Sequence, residues 1–245
     1  MKNKSYIGIT FIILIFGIFA IPKIVDRISN NTIIDSNRLN TVKRGVTVTE
    51  GDSELTKFGK VPSFKFVNQD SIQVDNSFFD NKVYVVEFFF TTCPTICPIM
   101  TQSMLQIESA FGDLENFAIA SFTINPTHDT PSVLKDYMLD HGITSKNWQM
   151  LTGDQDAIIS LANKGFDLYA AAKEKAPGGF EHSGMFALID KNGVIRSRKD
   201  EFGNPILYYR GITETSKDET GEVIDTSLHQ ITELKQDILK LLKED

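Results

Sequence analysis

The sequence has few of the residues that build disulfide scaffolds or bind polyanions. Only two cysteines occur in 245 residues, which excludes a fold held together by several disulfides. Lys and Arg number 25 against 32 Asp and Glu, and the net charge of −7 indicates that nucleic acid is not a partner. Internal repeats and low-complexity tracts are also absent. The 41% of hydrophobic residues is typical of a globular protein, and the chain is long enough to bury a substantial core.

One long uncharged run stands near the start of the chain, YIGITFIILIFGIFAIP over residues 6–22. A membrane-spanning helix needs roughly 17–25 apolar residues, so this run is just long enough. Lys2 and Lys4 precede it, which predicts an N-terminus inside the cell and a following domain outside. We therefore expect a single-pass anchor in the inner (cell) membrane, with the globular part on the extracytoplasmic, periplasmic side.

A cleaved signal peptide is the alternative for this run. Cleavage sites carry small residues in an A-x-A-like pattern, whereas Ala20 is preceded two places earlier by the bulky Ile18. No cysteine directly follows the run, which excludes a lipoprotein anchor at this place. We assign residues 1–27 to the anchor and 61–245 to the globular domain. Residues 28–60 are polar, without a sustained period, and are assigned to a tether.

Hydrophobic periodicity in the globular part predicts strands that alternate with helices, followed by a hairpin and a last helix. The predicted strands cover 61–67, 71–74, 83–90, 117–124, 148–151, 185–189, 194–198 and 206–209, and the predicted helices cover 96–111, 130–141, 154–165 and 226–242. A charged loop is expected over 213–221. The order indicates an α/β fold with a thioredoxin-like central sheet flanked by helices.

Both cysteines follow the most apolar predicted strand, in the segment Cys93-Pro94-Thr95-Ile96-Cys97-Pro98. If Cys93 begins the helix, Cys97 lies one turn later on the same face, and the two sulfurs can meet. The positive end of a helix lowers the pKa of a thiol there. Pro98 removes a helical hydrogen bond, so a distortion of the helix is expected near the motif. The pair is suited either to a redox disulfide, Cys93–Cys97, or to metal binding.

Two thiolates are good ligands for Cu(I) and also for zinc, but two cysteines alone do not complete a site. Among the four histidines, His182 follows a glycine-containing loop and precedes a predicted strand that lies near the cysteine helix. It can therefore bring an imidazole over the two sulfurs and give a three-coordinate site. His128, in a loop after another strand, can approach the same place, but an ordinary surface role is favoured for it.

Other residues have plainer interpretations. His141 precedes Gly142 at a helix end, where its charge suits the helix dipole. His229 is expected on the surface of the last helix. Met100 and Met104 recur at helical spacing, which is typical of core methionines rather than of metal ligands. Glu87 is unusual within an apolar strand and is either a buried carboxyl near the motif or faces a polar neighbour at a sheet edge.

The cysteine motif, the later His182-Ser183 and the segment from Thr123 to Pro131 together resemble the Sco/SenC family of copper-delivery proteins. The resemblance covers roughly residues 61–242 and implies that Cys93, Cys97 and His182 bind copper, as Cu(I) or Cu(II). It also implies delivery of copper to the copper-receiving subunit of cytochrome c oxidase, for its binuclear centre. Thr95, Asn125 and His128 depart from the residues common in the family, which affects the expected recognition of partners but leaves the three ligands in place.

Three alternatives remain open at this point. The first is a thiol–disulfide oxidoreductase acting on cysteines of the oxidase subunit or of other extracytoplasmic proteins, with Cys93 as the nucleophile. Its three-residue spacer differs from the two-residue spacer usual in thioredoxins. A thiol peroxidase is the second, although the reactive cysteine of such enzymes lies in a different local sequence, without a second cysteine one helical turn later. A structural zinc site is the third, but only three ligands are evident. An enzymatic role is therefore not the leading hypothesis.

Overall fold

A computed structural model describes residues 54–200, 202–212, 215–217 and 223–244, with backbone only for 215–217 and 223–229. The predicted anchor at 1–27 lies outside the described residues, as does the predicted tether up to residue 53. Within the described part of the chain, none of the helices combines the length and the apolarity that a membrane span requires.

The described elements alternate between strands and helices in the predicted order. The strands are β1 Thr56–Lys60, β2 Lys65–Asn68, β3 Gln73–Asp75, β4 Val83–Phe89, β5 Phe117–Thr123, β6 Trp148–Thr152, β7 Ala170–Ala172, β8 Phe180–His182, β9 Met185–Ile189, β10 Val194–Ser197, β11 Tyr209–Arg210, β12 Thr215–Lys217 and β13 Val223–Asp225. The helices are α1 Cys97–Phe111, α2 Pro131–His141, α3 Gln155–Ser160 and α4 Thr226–Lys243.

One mixed sheet forms the centre, in the order β1-β10-β9-β4-β5-β6-β2-β3, and β11 pairs with β9. The pairs β4–β5 and β5–β6 are parallel, and the other neighbours are antiparallel. The hairpins β7–β8 and β12–β13 stand apart from this sheet. The predicted fold class, a central sheet flanked by helices, is confirmed for the described residues.

The middle of the sheet positions the cysteine segment. Every residue of β4 and β5 is buried, as the two apolar runs predict. Their parallel pairing runs in register from Val83 opposite Phe117 to Phe89 opposite Thr123. The two strands therefore end side by side, and the loops that follow them emerge at the same edge of the sheet. This edge is where open α/β sheets place their functional loops.

Five strands lie outside the predicted strands: β7, β8 and β13, and also β1 and β12, which fall in stretches assigned to the tether and to a loop. Strand β1 falls in the stretch assigned to the tether, and it pairs with β10, with Thr56 opposite Ser197. The buried side chain of Leu55 precedes it. The backbone of β12 lies within the predicted charged loop and pairs with β13. Strands β1 and β12 depend on pairing with a partner rather than on an apolar pattern of their own, so periodicity did not identify them.

Buried ion pairs fasten α4 to the sheet. The Arg198 guanidinium donates to both carboxylate oxygens of Asp237, at 2.6 and 3.0 Å, and Tyr209 donates its hydroxyl to the same fully buried carboxylate at 2.8 Å. Removing one partner of such a buried pair costs about 3–5 kcal/mol, because the other charge is left unpaired. Helix α4 also contacts α1 and β4, so it supports the two elements that flank the cysteines.

Candidate metal centre

Cys93 and Cys97 lie on the loop after β4 and at the start of α1, respectively. Cys93 does not begin the helix: α1 starts at Cys97, one residue after the predicted start at residue 96. The backbone N–H of Cys93 closes a turn onto the carbonyl of Phe90 at 3.2 Å. The expected distortion at Pro98 is also absent from the described helix. This proline occupies the first turn, where its missing N–H has no helical partner to lose.

His182 reaches the site from the β7–β8 hairpin, as the last residue of β8 and not as part of an open loop. Its partner across the hairpin is Ala170. The hairpin packs on the cysteine loop, residues 90–96 between β4 and α1. The Phe90 ring lies 5.4 Å from the Phe180 ring and edge-on to the imidazole of His182 at 6.1 Å. Gly178, in the turn of the hairpin, has a φ of 75°, and a Cβ there would lie 2.7 Å from the Phe90 ring.

The three predicted ligand atoms come together. The Sγ atoms of Cys93 and Cys97 and a ring nitrogen of His182 all lie within 4.8 Å of one another. The His182 Nε2 is 3.1 Å from the Cys97 Sγ. Cys93 is 7% exposed, Cys97 is 1% exposed, and His182 is half-buried. Both cysteines are free thiols in the structure, so the predicted Cys93–Cys97 disulfide is a prediction about the oxidised state.

The two thiols differ in acidity because one stabilises the other. A hydrogen bond from Cys97 is the main cause that lowers the pKa of Cys93 to about 3, opposed by burial and assisted by His182 and by the backbone N–H groups of Cys97 and Thr95. Donation to Cys93 raises the pKa of Cys97, and burial adds to this effect. The reduced site thus holds one thiolate at the helix N-terminus and one thiol beside an imidazole, an arrangement that suits nucleophilic chemistry and metal binding alike.

Glu87 lies on a central strand of the sheet, near enough to Cys97 to affect its pKa. It is 2% exposed on β4, and its Oε1 accepts a hydrogen bond from Ser121 at 2.7 Å, while Ser121 in turn accepts one from the Trp148 indole at 2.9 Å. The Oε2 atom has no hydrogen-bond partner among the described residues. Burial raises the pKa of Glu87 to about 7, and the Glu87 charge contributes to the raised pKa of Cys97. Of the two predicted roles, Glu87 has that of the buried carboxyl. Its polar neighbour is Ser121, but the sheet-edge location is wrong because β4 lies in the middle of the sheet.

The other histidines have the ordinary roles that the sequence favoured, where the structure describes them. His128 is half exposed, and its Nδ1 lies 2.8 Å from the Asp129 carboxylate. The His141 Nδ1 lies 2.9 Å from the Tyr137 carbonyl at the end of α2. The side chain of His229 lies outside the described residues. Met100 and Met104 are fully buried in the core, as predicted.

Asp129 is the residue whose importance the sequence did not reveal. It is fully buried and accepts hydrogen bonds from Thr91, on the cysteine loop, and from Thr123, at the end of β5. Only its place in the segment TINPTHDTP distinguished it. Nothing in local spacing indicates that this segment meets the cysteine loop.

The described residues thus define a mixed α/β protein with a soft S₂N donor set at the carboxyl edge of its sheet. A model of the SCO1/SenC family matches residues 53–216. The "SCO1 protein homolog" of Bacillus subtilis (strain 168) is 33% identical over 142 residues, which are 56% of this chain and 71% of that protein. The chain belongs to the SCO1/SenC family.

Two further relatives extend the likeness. A "putative copper-binding protein" of Stutzerimonas stutzeri is 26% identical over 142 residues, 56% of this chain and 67% of that protein. The crystal structure of a SCO1/SenC family lipoprotein from Bacillus anthracis str. Ames superimposes with a TM-score of 0.60 at 25% identity, over 75% of this chain and 95% of that one.

Proposed function

We propose that this protein binds copper through Cys93, Cys97 and His182 and delivers it to the copper-receiving subunit of cytochrome c oxidase, for the binuclear copper centre. The observation that carries the proposal is the convergence of two sulfurs and one imidazole nitrogen within 4.8 Å. Thiolates and imidazole are the donors that copper prefers in proteins. Membership of the SCO1/SenC family and the likeness to a putative copper-binding protein support the same choice.

The dimensions of the donor set fit one metal ion. Metal–sulfur and metal–nitrogen bonds of roughly 2.0–2.3 Å place the ligand atoms of one ion about 3–4 Å apart. The limit of 4.8 Å among the three atoms and the 3.1 Å between His182 and Cys97 are compatible with this spacing after small side-chain adjustments. Structural zinc takes four protein ligands, and the cluster among the described residues contains three.

Copper is cargo in this proposal, and the site is built for exchange. His182 is half-buried on a short hairpin, so the imidazole is the ligand that a partner can replace first. Oxidation of the two cysteines joins their sulfurs in a disulfide, with two electrons passing to the oxidant and any thiol proton to solvent, and both sulfur ligands are then lost. Copper binding is therefore expected only in the reduced protein.

The proposal places the domain outside the cell membrane, tethered by the apolar run at 6–22 as a single-pass anchor. A tether raises the effective concentration of the domain near a membrane-bound recipient. Supporting this placement are the length of the run and the lysines that precede it.

A thiol–disulfide oxidoreductase is the second candidate, and the acidity of Cys93 favours it. A thiol whose pKa is lowered to about 3 is a thiolate at neutral pH and a good leaving group from a mixed disulfide. In this alternative, Cys93 and Cys97 reduce a partner's disulfide, and His182 is dispensable.

Titration with Cu(I) against a chelator of known affinity tests the copper proposal. Reduced wild-type protein should bind about one equivalent, because one metal centre is formed. His182→Ala should weaken copper binding. His141→Ala should not, because His141 lies on α2 and is not part of the cluster of Cys93, Cys97 and His182. A wild-type protein that binds no copper, or a His182→Ala variant with full affinity, would overturn the proposal. Disulfide reduction abolished by Cys93→Ser but retained in His182→Ala would favour the oxidoreductase.

A further inference from the structure

Asp129 joins the two loops that leave the sheet beside the metal centre. The carboxylate is fully buried, and a buried charge is tolerated only when hydrogen bonds compensate it. Four groups do so. Thr91 donates its backbone N–H at 3.0 Å and its hydroxyl at 2.5 Å, Thr123 donates its hydroxyl at 2.5 Å, and the His128 Nδ1 lies at 2.8 Å.

The position of Asp129 follows from the parallel strands. Thr123 is the last residue of β5, and Thr91 follows the end of the adjacent β4 by two residues. Thr123 also accepts the N–H of Asn125 at 3.0 Å, and the N–H of Asp129 donates to the Asn125 carbonyl at 2.9 Å. The loop after β5 is thus folded back so that one carboxylate holds both strand ends.

Cys93 depends on this connection more than Cys97 does. Cys97 belongs to α1 and is held by the helix, whereas Cys93 lies in the preceding loop. Thr91 is two residues from Cys93, and both of its hydrogen bonds to Asp129 fix the backbone that carries the sulfur. The backbone N–H groups of Thr95 and Cys97 point to the Cys93 sulfur, which requires that loop to keep its conformation.

We propose that Asp129 is a positioning residue of the metal centre, which holds the Thr91–Cys93 segment so that the Cys93 sulfur faces Cys97 and His182. The proposal rests on the proposed copper function. Asp129 reaches the ligand through the loop backbone, and its role is steric alignment of a ligand rather than supply of charge.

Two substitutions at Asp129 separate alignment from charge. Asp129→Ala removes every bond to Thr91 and Thr123, and we expect Cu(I) affinity to fall by about tenfold or more, the range for residues that orient metal ligands. Asp129→Asn keeps one oxygen for the Thr91 N–H and offers an amide to the hydroxyl, so it should retain affinity close to that of the wild type. Equal loss in both variants would assign the effect to charge and overturn the proposal.

A matched pair of threonine variants tests the same point without removing the buried carboxylate. Thr91→Val and Thr123→Val each remove one hydroxyl that donates to Asp129 at 2.5 Å, but only Thr91 lies on the cysteine loop. Urea unfolding should show that the two variants lose similar amounts of unfolding free energy relative to the wild type. Copper affinity should fall in Thr91→Val, by roughly threefold or more since its backbone bond remains, and stay unchanged in Thr123→Val. Affinity that falls equally in both would indicate a merely structural role and refute the proposal.

The rate at which iodoacetamide alkylates Cys93 provides a readout that does not need copper. In the metal-free reduced protein, Asp129→Ala and Thr91→Val should change this rate relative to the wild type, while Thr123→Val should not. If the wild type binds no copper, the proposed function fails, and this rate alone decides the positioning role. Unchanged alkylation in Thr91→Val and Asp129→Ala would overturn it.

Discussion

The buried carboxyl of Glu87 predicts an unusual dependence of stability on pH. Burial raises its pKa from an ordinary value of 4.5 to about 7, opposed by one hydrogen bond from Ser121. Between these two values the folded protein binds more protons at this site than the unfolded chain does. The stabilising contribution of the neutral carboxyl is therefore complete below about pH 4.5 and is lost as the pH rises through 7.

Glu87→Gln removes this dependence while keeping the shape of the side chain. A rise in pKa of this size corresponds to about 3 kcal/mol of unfolding free energy, since each pKa unit is worth about 1.4 kcal/mol. We expect the variant and the wild type to be similarly stable near pH 4.5, where the carboxyl is mostly neutral in the folded state. Near pH 8 the variant should be more stable by about 3 kcal/mol.

Urea unfolding of the metal-free, reduced protein across this pH range measures the difference. Taking the difference between variant and wild type cancels the titration of all other carboxylates. Glu115→Gln is the matched control, because Glu115 is an exposed glutamate whose side chain meets solvent in both states. The difference for Glu87→Gln should vary with pH more strongly than the difference for this control. A difference for Glu87→Gln that does not vary with pH would refute the reasoning and show that the buried carboxylate is hydrated or paired with a cation.

Three further predictions concern the metal centre. Iodoacetamide should label Cys93 in preference to Cys97, and the rate should change little between pH 5 and 8 because the pKa of Cys93 is lowered to about 3. A thiol of ordinary pKa would react several hundredfold more slowly at pH 5 than at pH 8, and such a slowing would contradict this prediction. Gly178→Ala should weaken copper binding, measured by chelator competition, more than Gly179→Ala does. Both glycines have a positive φ, but of the two only Gly178 would bring a Cβ against an aromatic ring, that of Phe90 at 2.7 Å. His128→Ala should leave copper affinity close to that of the wild type in the same assay, because the hydrogen bonds from Thr91 and Thr123 still hold Asp129. A loss as large as that in His182→Ala would make His128 a ligand.

Local sequence was sufficient to predict the central strands and the donor types of the site. The largely apolar runs that became β4 and β5 are buried on both faces, and such strands are near-continuous in apolar residues. Two cysteines with a three-residue spacer remain close in any compact turn or helix start, so their proximity needed no knowledge of the fold. The position of His182 was predictable only in part, from a glycine-containing loop before a strand.

Tertiary structure decided how these residues are aligned. Helix α1 begins at Cys97 because the preceding residues form a turn, which leaves Cys93 outside the helix and dependent on its loop. The Asp129 carboxylate meets Thr91 across 38 residues of chain because β4 and β5 are parallel and end together. The spacing of residues along the sequence does not predict such contacts. The sequence by itself determined which atoms are available to bind copper, whereas the register of the parallel strands decided which buried side chains hold them in place.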